Sequence, residues 1–295
     1  MADIPRDLHA HDGDGWVQCA CGSRHWGLYG AAGLLLWRCE DGRTDVLLQH
    51  RAPFSHHGGT WGLPGGALAS GETPLLGALR EAAEEACVQP HGVRVWASAT
   101  MHHPDWSYTT VIGEDIAAQT CGIGDGESLD VRWIPAATVP HLPLLPAFEA
   151  AWPTLRAYLR RIELVLDVAN LIGSVPDGWW NDRAGATARF LESLPLEDGF
   201  DATPFIADLT RIWPEVTAVL EGPARQAAGQ IPTAEGLRVV QAPGAGDDEI
   251  VAQACHGAER GSLVLAATSD RELANRLRPH TLQIVGSRTW RAARG

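Results

Sequence analysis

The chain has 295 residues, 45% of them apolar, and a net charge of −13. That length is enough for two hydrophobic cores, and the acidity argues against non-specific nucleic-acid binding by the whole protein while leaving a local basic patch open. No apolar run approaches the roughly 18 residues of a membrane span, and MADIPRDLHAHDGDG lacks the charged-then-apolar order of a signal peptide, so a cytoplasmic protein with no membrane partner is expected. Six dispersed cysteines do not look like a disulfide framework, and all 23 basic residues are arginine, which points to a high-GC bacterial source.

Residues 1–15 are charged, glycine-rich and aperiodic, and are expected to be a mobile arm. WVQCACGSRHWG follows, with Cys19, Cys21 and His25. A zinc site there would need His9, His11 or Cys39 to complete it. The C-x-C spacing, with no second pair at finger or ribbon distance, argues instead for a turn that happens to bear two thiols. Tyr29 to Trp37, YGAAGLLLW, reads as a buried strand, and Asp45 to His50 as its partner across the turn EDGRT. Arg51 stands at the end of that second strand.

Gly62, Pro64, Gly65, Gly66 and Gly71 make a turn-rich loop, and Thr73-Pro74 is a helix start, a hydroxyl at the N-cap with proline next. The helix is expected from Pro74 to Ala86. On it, Glu81, Glu84 and Glu85 share one face, while Leu75, Leu79, Ala82, Ala83 and Ala86 form an apolar face suited to a sheet. Three converging carboxylates raise one another's pKa unless a cation sits among them, and an all-oxygen set suits Mg2+ or Mn2+. The bland alternative is a solvated acidic face with Arg80–Glu84 as an i,i+4 pair worth about 0.3–0.5 kcal/mol. The glycine loop and Glu72, both in register with that face, argue against it.

Val93 to Thr100 reads as a further strand, followed by a period-two stretch after Trp106 and Tyr108. These aromatic rings could stack on a purine or nicotinamide at a pocket mouth, or belong to the core. GESLDVRWIP precedes a closing helix, Leu144 to Leu159, interrupted at Pro153.

The order Gly66, five residues, Glu72, seven residues, Arg80-Glu81-Ala82, one residue, Glu84-Glu85, one residue, Cys87-Val88 resembles the box of the Nudix, or MutT-like, hydrolases. It departs only at Cys87, where the family has glycine. The resemblance implies an α/β/α sandwich with a mixed sheet over residues 1–158, and a Mg2+-dependent pyrophosphohydrolase. Its substrate would be a nucleoside diphosphate linked to another moiety, such as 8-oxo-dGTP or another NTP, ADP-ribose, a dinucleoside polyphosphate or a capped RNA end. It further implies metal ligation by Glu81, Glu84, Glu85 and the Gly66 carbonyl, and proton removal from water by Glu81 or Glu127. Glu127 is the candidate extra carboxylate, as ligand or base. Arg80 would orient the carboxylates by pairing with Glu72, and Arg51 would meet a substrate phosphate. Cysteine at position 87 is expected to cost the usual left-handed cap.

From Ile162 the texture changes, and residues 159–295 read as a second α/β domain. IELVLDVANL is a buried parallel strand ending in Asp167 and Asn170, GAGDDEIVAQA puts Asp247 and Asp248 at a helix start, and SLVLAATSDRELANRLR is a buried strand ending at Ser269-Asp270. In an open parallel sheet those ends meet at the ligand crevice. This pattern resembles the NYN/PIN-like nuclease domains, a Rossmannoid parallel-sheet fold, which implies a metal-binding acidic site that cuts RNA. Asp182, beside Trp179, Trp180 and Arg183, adds to the acidic set, and the tryptophans could stack on bases or seal a sheet edge. Arg271, Arg276, Arg278, Arg288, Arg291 and Arg294, against Glu272 alone, would suit an RNA backbone. Two rival functions follow, a ribonuclease carried by Asp167, Asp247 and Asp270, and a sensor that binds nucleotide without turnover.

Overall fold

A computed structural model describes residues 11–55, 57–176, 178–229 and 234–294. The chain divides into two compact units, Met1–Leu159 and Arg160–Gly295. Among the described residues, no helix is long and apolar enough to cross a membrane.

The first unit begins with a hairpin of β1 (Trp16–Gln18) and β2 (Arg24–Trp26), Val17 opposite His25. Then come β3 (Ala31–Glu40) and β4 (Arg43–Arg51), the short β5 (Trp61–Gly62) and β6 (Gly65–Ala67), and helix α1 (Pro74–Ala86). After α1 run β7 (Val93–His103), β8 (Trp106–Asp115), β9 (Ser128–Pro135) and α2 (Pro146–Leu155). Strand order is β7-β8-β3-β4-β5, with β6 also on β3 and β9 also on β4. β3 runs parallel to β8 and antiparallel to β4 and β6, so the sheet is mixed.

Local chemistry explains these elements. Asp41 and Gly42, both with positive φ, close the β3–β4 turn, the two-residue geometry that matches strand twist. Thr73 caps α1 by accepting from the Leu76 amide. The apolar face of α1 is narrower than its sequence suggests. Ala78, Ala82 and Ala86 lie fully buried against Leu34, Leu36, Leu47 and Val111, with Leu75 and Leu79 at the margin. Small residues let helix and sheet approach closely, and a leucine at Ala82 would overpack this contact at a cost of about 1–3 kcal/mol.

Several expectations are corrected. His11 to Gly15 are not a free arm, because Gly13 accepts from the Leu28 amide, Gly15 from the Gly27 amide, and Asp12 from the Ser70 amide. Residues 1–10 of the expected arm lie outside the described residues. The glycine-rich loop contains two short strands, β5 and β6. β8 is buried continuously from Thr109 to Asp115 instead of alternating, because it lies between β7 and β3 with cover on both faces. The closing helix starts at Pro146 and ends at Leu155, two residues after Pro153 removes a backbone donor, and a 3-10 turn continues to Tyr158. Cys87 does not cost the cap: it adopts the left-handed conformation itself (φ 56°), and its amide donates to the Ala82 carbonyl.

The second unit contains β10 (Ile162–Asp167), α3 (Val168–Gly173), α4 (Arg183–Glu192), a ribbon of β11 (Phe200–Asp201) and β12 (Arg211–Ile212), β13 (Glu215–Leu220), β14 (Leu237–Gln241), α5 (Gly246–Glu259), β15 (Leu263–Ala267), α6 (Arg271–Leu277), β16 (Gln283–Val285) and α7 (Ser287–Ala293). Its five-stranded sheet, in order β14-β13-β10-β15-β16, is parallel throughout. β10 is buried along its whole length, as the unbroken apolar run requires.

Candidate active site

The loop before α1 and the middle of α1 meet at Gly65 and Gly66. A Cβ at Gly66 would lie 2.6 Å from Glu81 Oε2, so only glycine lets the Glu81 carboxylate rest against this backbone. The Gly65 amide donates to Glu85 Oε2 at 2.7 Å. Arg80 organises the other acids. Its Nε and Nη2 donate to both oxygens of Glu72 at 2.9 Å, Nη2 donates to the Ala67 carbonyl, and Nη1 reaches Glu81 at 2.7 Å and Glu84 at 3.3 Å. Arg80 and Glu72 thus lock the loop to the helix, and the pairing holds the Glu72 carboxyl below its usual range.

Glu85 is 5% exposed. Burial first, and then the neighbouring Glu81 charge, push its carboxyl up to about 8. Glu81 is also raised, burial outweighing the Arg80 charge beside it. The three helix carboxylates lie on one face without being gathered round a single point: Glu81 and Glu84 turn to Arg80, and Glu85 to the Gly65 amide. An all-oxygen donor set, partly buried and with the single arginine Arg80 among Glu72, Glu81 and Glu84, fits a hard divalent cation.

A cavity of about 910 Å³ opens beside this group. Gly65, Gly66 and Arg51 line it, as do the rings of Trp106, Tyr108 and Phe148. The β4–β9 register shifts at His50/Arg51, and such a bulge re-aims the side chain that follows it. Arg51 lies close enough for its charge to act on Glu85 and Glu127. Tyr108 fits because residue 33 is glycine, where a Cβ would lie 2.2 Å from the phenol oxygen. One face of Trp106 is already covered by the His25 ring at 4.5 Å. Glu127 sits in the loop before β9, where its carbonyl accepts from the Ala52 amide. Its carboxyl is raised by partial burial and then by Asp125.

The NUDIX domain profile matches residues 29–158. A Mycobacterium tuberculosis protein whose name makes it a candidate 8-oxo-dGTP diphosphatase is 46% identical over 152 residues, 49% of this chain and 70% of that protein. The chain belongs to the Nudix family. A nucleoside triphosphate pyrophosphatase/Nudix hydrolase fusion protein of Bifidobacterium longum is 47% identical over 152 residues, 50% of this chain, which spans only 32% of that longer protein. Among solved structures, the Nudix hydrolase RenU of M. smegmatis is 43% identical, with 49% of this chain and 94% of that chain covered at a TM-score of 0.46.

Sequence reasoning missed three residues of the first unit. His11 approaches Glu84 at 3.9 Å from the segment expected to be mobile. Gln49, fully buried on β4, bonds Ser128 at 2.8 Å and faces Glu85. Its polar side chain inside an apolar strand was the available signal. The third is His103, at the end of β7. Its ligand atom and those of Cys19, Cys21 and His25 all lie within 4.8 Å of one another. This corrects the expectation of an incomplete ligand set. His11 is committed to the acidic helix, Cys39 is exposed near the end of β3, and His9 lies outside the described residues.

In the second unit, Asp167 accepts from the Thr268 hydroxyl at 2.6 Å and from the Asn170 amide at 3.1 Å, while Asn170 accepts from the Ser269 amide. The Asp167 carboxyl is raised by burial first, with Asp247 and Glu221 contributing, and Asp247 is raised by burial and Asp270. Asp247 therefore acts on Asp167 and Asp270 on Asp247, while Glu221, just after β13 and not among the acids expected from the sequence, acts on both Asp167 and Asp247. Asp248 instead points outward, 73% exposed in its side chain, and pairs with Arg276 at 2.6 Å. Asp182 caps α4 and lies 3.7 Å from Arg189. The expected arginine excess is partly used inside the unit, since Arg276 pairs with Asp248, Arg291 donates to Ser174 and Arg294 to the Ser193 carbonyl. Trp180 is exposed, edge-on to Trp179.

Proposed function

We propose that the first unit is a divalent-cation-dependent pyrophosphohydrolase that cleaves the P–O–P bridge of a nucleoside diphosphate linked to a further group. The observation that carries this reading is the buried Glu85 and the half-buried Glu81, held against Gly65 and Gly66 where these line a nucleotide-sized cavity. Glu81, Glu84, Glu85 and the Gly66 carbonyl would hold Mg2+ or Mn2+, which when bound offsets charge on the phosphate oxygens. Arg51, aimed by the β4 bulge, would bind a substrate phosphate. Trp106 and Tyr108 would line the wall against the base, and Arg80 with Glu72 would keep the helix carboxylates in place. Proton removal from the attacking water falls to Glu81 or Glu127, both carboxyls being raised toward the range useful for a base. The Mycobacterium tuberculosis relative makes 8-oxo-dGTP the first substrate to test, ahead of ADP-ribose.

The test is Mg2+-dependent turnover of a nucleotide panel by the full chain and by Glu84→Gln and Glu85→Gln. We expect turnover by the parent and its near loss in both variants. Undiminished turnover in both would overturn the assignment, whereas tight binding without product would favour a nucleotide sensor.

For the second unit, the influence of Asp247 on Asp167 and of Asp270 on Asp247 supports a second reading, a metal-dependent ribonuclease on a PIN-like fold. Its test is RNA cleavage that disappears in Asp167→Asn and persists in Glu85→Gln.

A further inference from the structure

We infer that Cys19, Cys21, His25 and His103 form a structural zinc site that fastens the β1–β2 hairpin to the tip of the β7–β8 hairpin. Their ligand atoms all lie within 4.8 Å of one another, and Cys21 Sγ is 3.2 Å from His25 Nε2. A tetrahedral zinc with bonds of about 2.0–2.3 Å separates its ligand atoms by roughly 3.3–3.8 Å, so small side-chain adjustments close the sphere. Two thiolates and two neutral imidazoles balance the charge of Zn2+, which a partly buried site requires. Four protein ligands leave no open position, so the role is structural and separate from the hard-cation chemistry at Glu81 and Glu85.

The backbone around the four residues is arranged for this. Gly22 has positive φ and its amide donates to the Cys19 carbonyl, while the Cys19 amide donates to Ser23, forming a tight turn that presents both sulfurs. Asp105, in the β7–β8 turn, accepts from the Ala20 amide at 2.7 Å, and Trp106 Nε1 donates to the Trp26 carbonyl at 3.0 Å. These bonds bring the turn over His103, whose ring centroid lies 4.3 Å from that of His25. Cys19 is 3% exposed, so one ligand is already out of water.

The site bears on function because it stands at the cavity wall. His25, Trp26, His103 and Trp106 all line the cavity, at some remove along the chain from the acidic helix. Zinc would fix this wall as one rigid piece.

Metal analysis of the reduced full-length chain tests the inference without any activity measurement. We expect one Zn2+ per chain, and on replacement by Co2+ the visible absorption of a tetrahedral S2N2 site. Cys21→Ser and His103→Ala should each lower zinc retention by at least about tenfold. Glu85→Gln should retain zinc fully, so this result and the hydrolase assignment can fail independently. Should the two ligand variants not fold, His103→Cys preserves four ligands and should keep zinc with a cobalt spectrum shifted toward three sulfurs. The inference is overturned if the reduced chain takes up neither Zn2+ nor Co2+, if both ligand variants keep their zinc, or if His103→Cys leaves the cobalt spectrum unchanged.

Discussion

Glu85 and Asp167 are both buried carboxylates, one in each unit, exposed by 5% and 7%. Asp167 stands at a strand end, where its oxygens cap α3 and take the Thr268 hydroxyl. Asp270 and Asp182 likewise cap α6 and α4. A capping carboxylate stabilises its helix by about 0.5–2 kcal/mol and needs no ligand to justify its place. Glu81 lies in the middle of α1 and Glu85 in its last turn, neither caps its own helix, and each is raised mainly by burial. A buried acid that caps no helix costs stability until a cation offsets it. Acids that cap their own helix are therefore weaker evidence of chemistry than acids that cap none.

The largest expected effect sharpens this contrast. Glu85→Gln should lower kcat for Mg2+-dependent nucleotide hydrolysis by roughly 10²-fold or more, while Asp167→Asn leaves it within about twofold. Equal losses in steady-state assays would break the comparison. Arg80→Ala should come next, lowering stability by about 2–3 kcal/mol because it strands Glu72 and Glu81 without their shared partner. Arg276→Ala, which frees only the exposed Asp248, should change it by less than about 0.5 kcal/mol. Urea titrations of the two variants would measure both.

A pH series probes Glu85 directly. Burial pushes its carboxyl up to about 8 in the folded state, against an ordinary value of about 4.5. Between those values the folded state holds the extra proton, so this group's effect is to lower stability as pH rises through the window. Without divalent cation, the fall in Tm over that range should be shallower in Glu85→Gln than in the parent, and added Mg2+ should raise the parent's Tm more at the upper end than at the lower. An identical pH profile in parent and variant would place Glu85 outside the effect. A small gain is expected for Cys87→Gly, which should relieve left-handed strain at φ 56° and add about 0.5–1 kcal/mol to the unfolding free energy measured in urea.

Spacing alone determined much of this protein. Pro74–Ala86 was legible as a helix because Thr73-Pro74 and a 3.6-residue alanine stripe are local signals, and the acidic face followed from the same period. Both parallel strands, β10 and β15, were legible because an unbroken apolar run needs cover on both faces, although β15 ends at Ala267 and not at the expected Ser269-Asp270, because Asp270 caps α6. What spacing missed was contact between distant segments. His11 and Gln49 beside the acidic helix, the bulge that aims Arg51, and Glu221 beside Asp247 all depend on which strands pair. His103 is the plainest case. Ligand counting along the chain stops at His25, and only the pairing of β7 with β8, together with the Asp105 bond to Ala20, brings a fourth ligand to the two thiols. Helix periodicity is written within a dozen neighbouring residues, whereas the meeting of two hairpins depends on tertiary packing that no local pattern encodes.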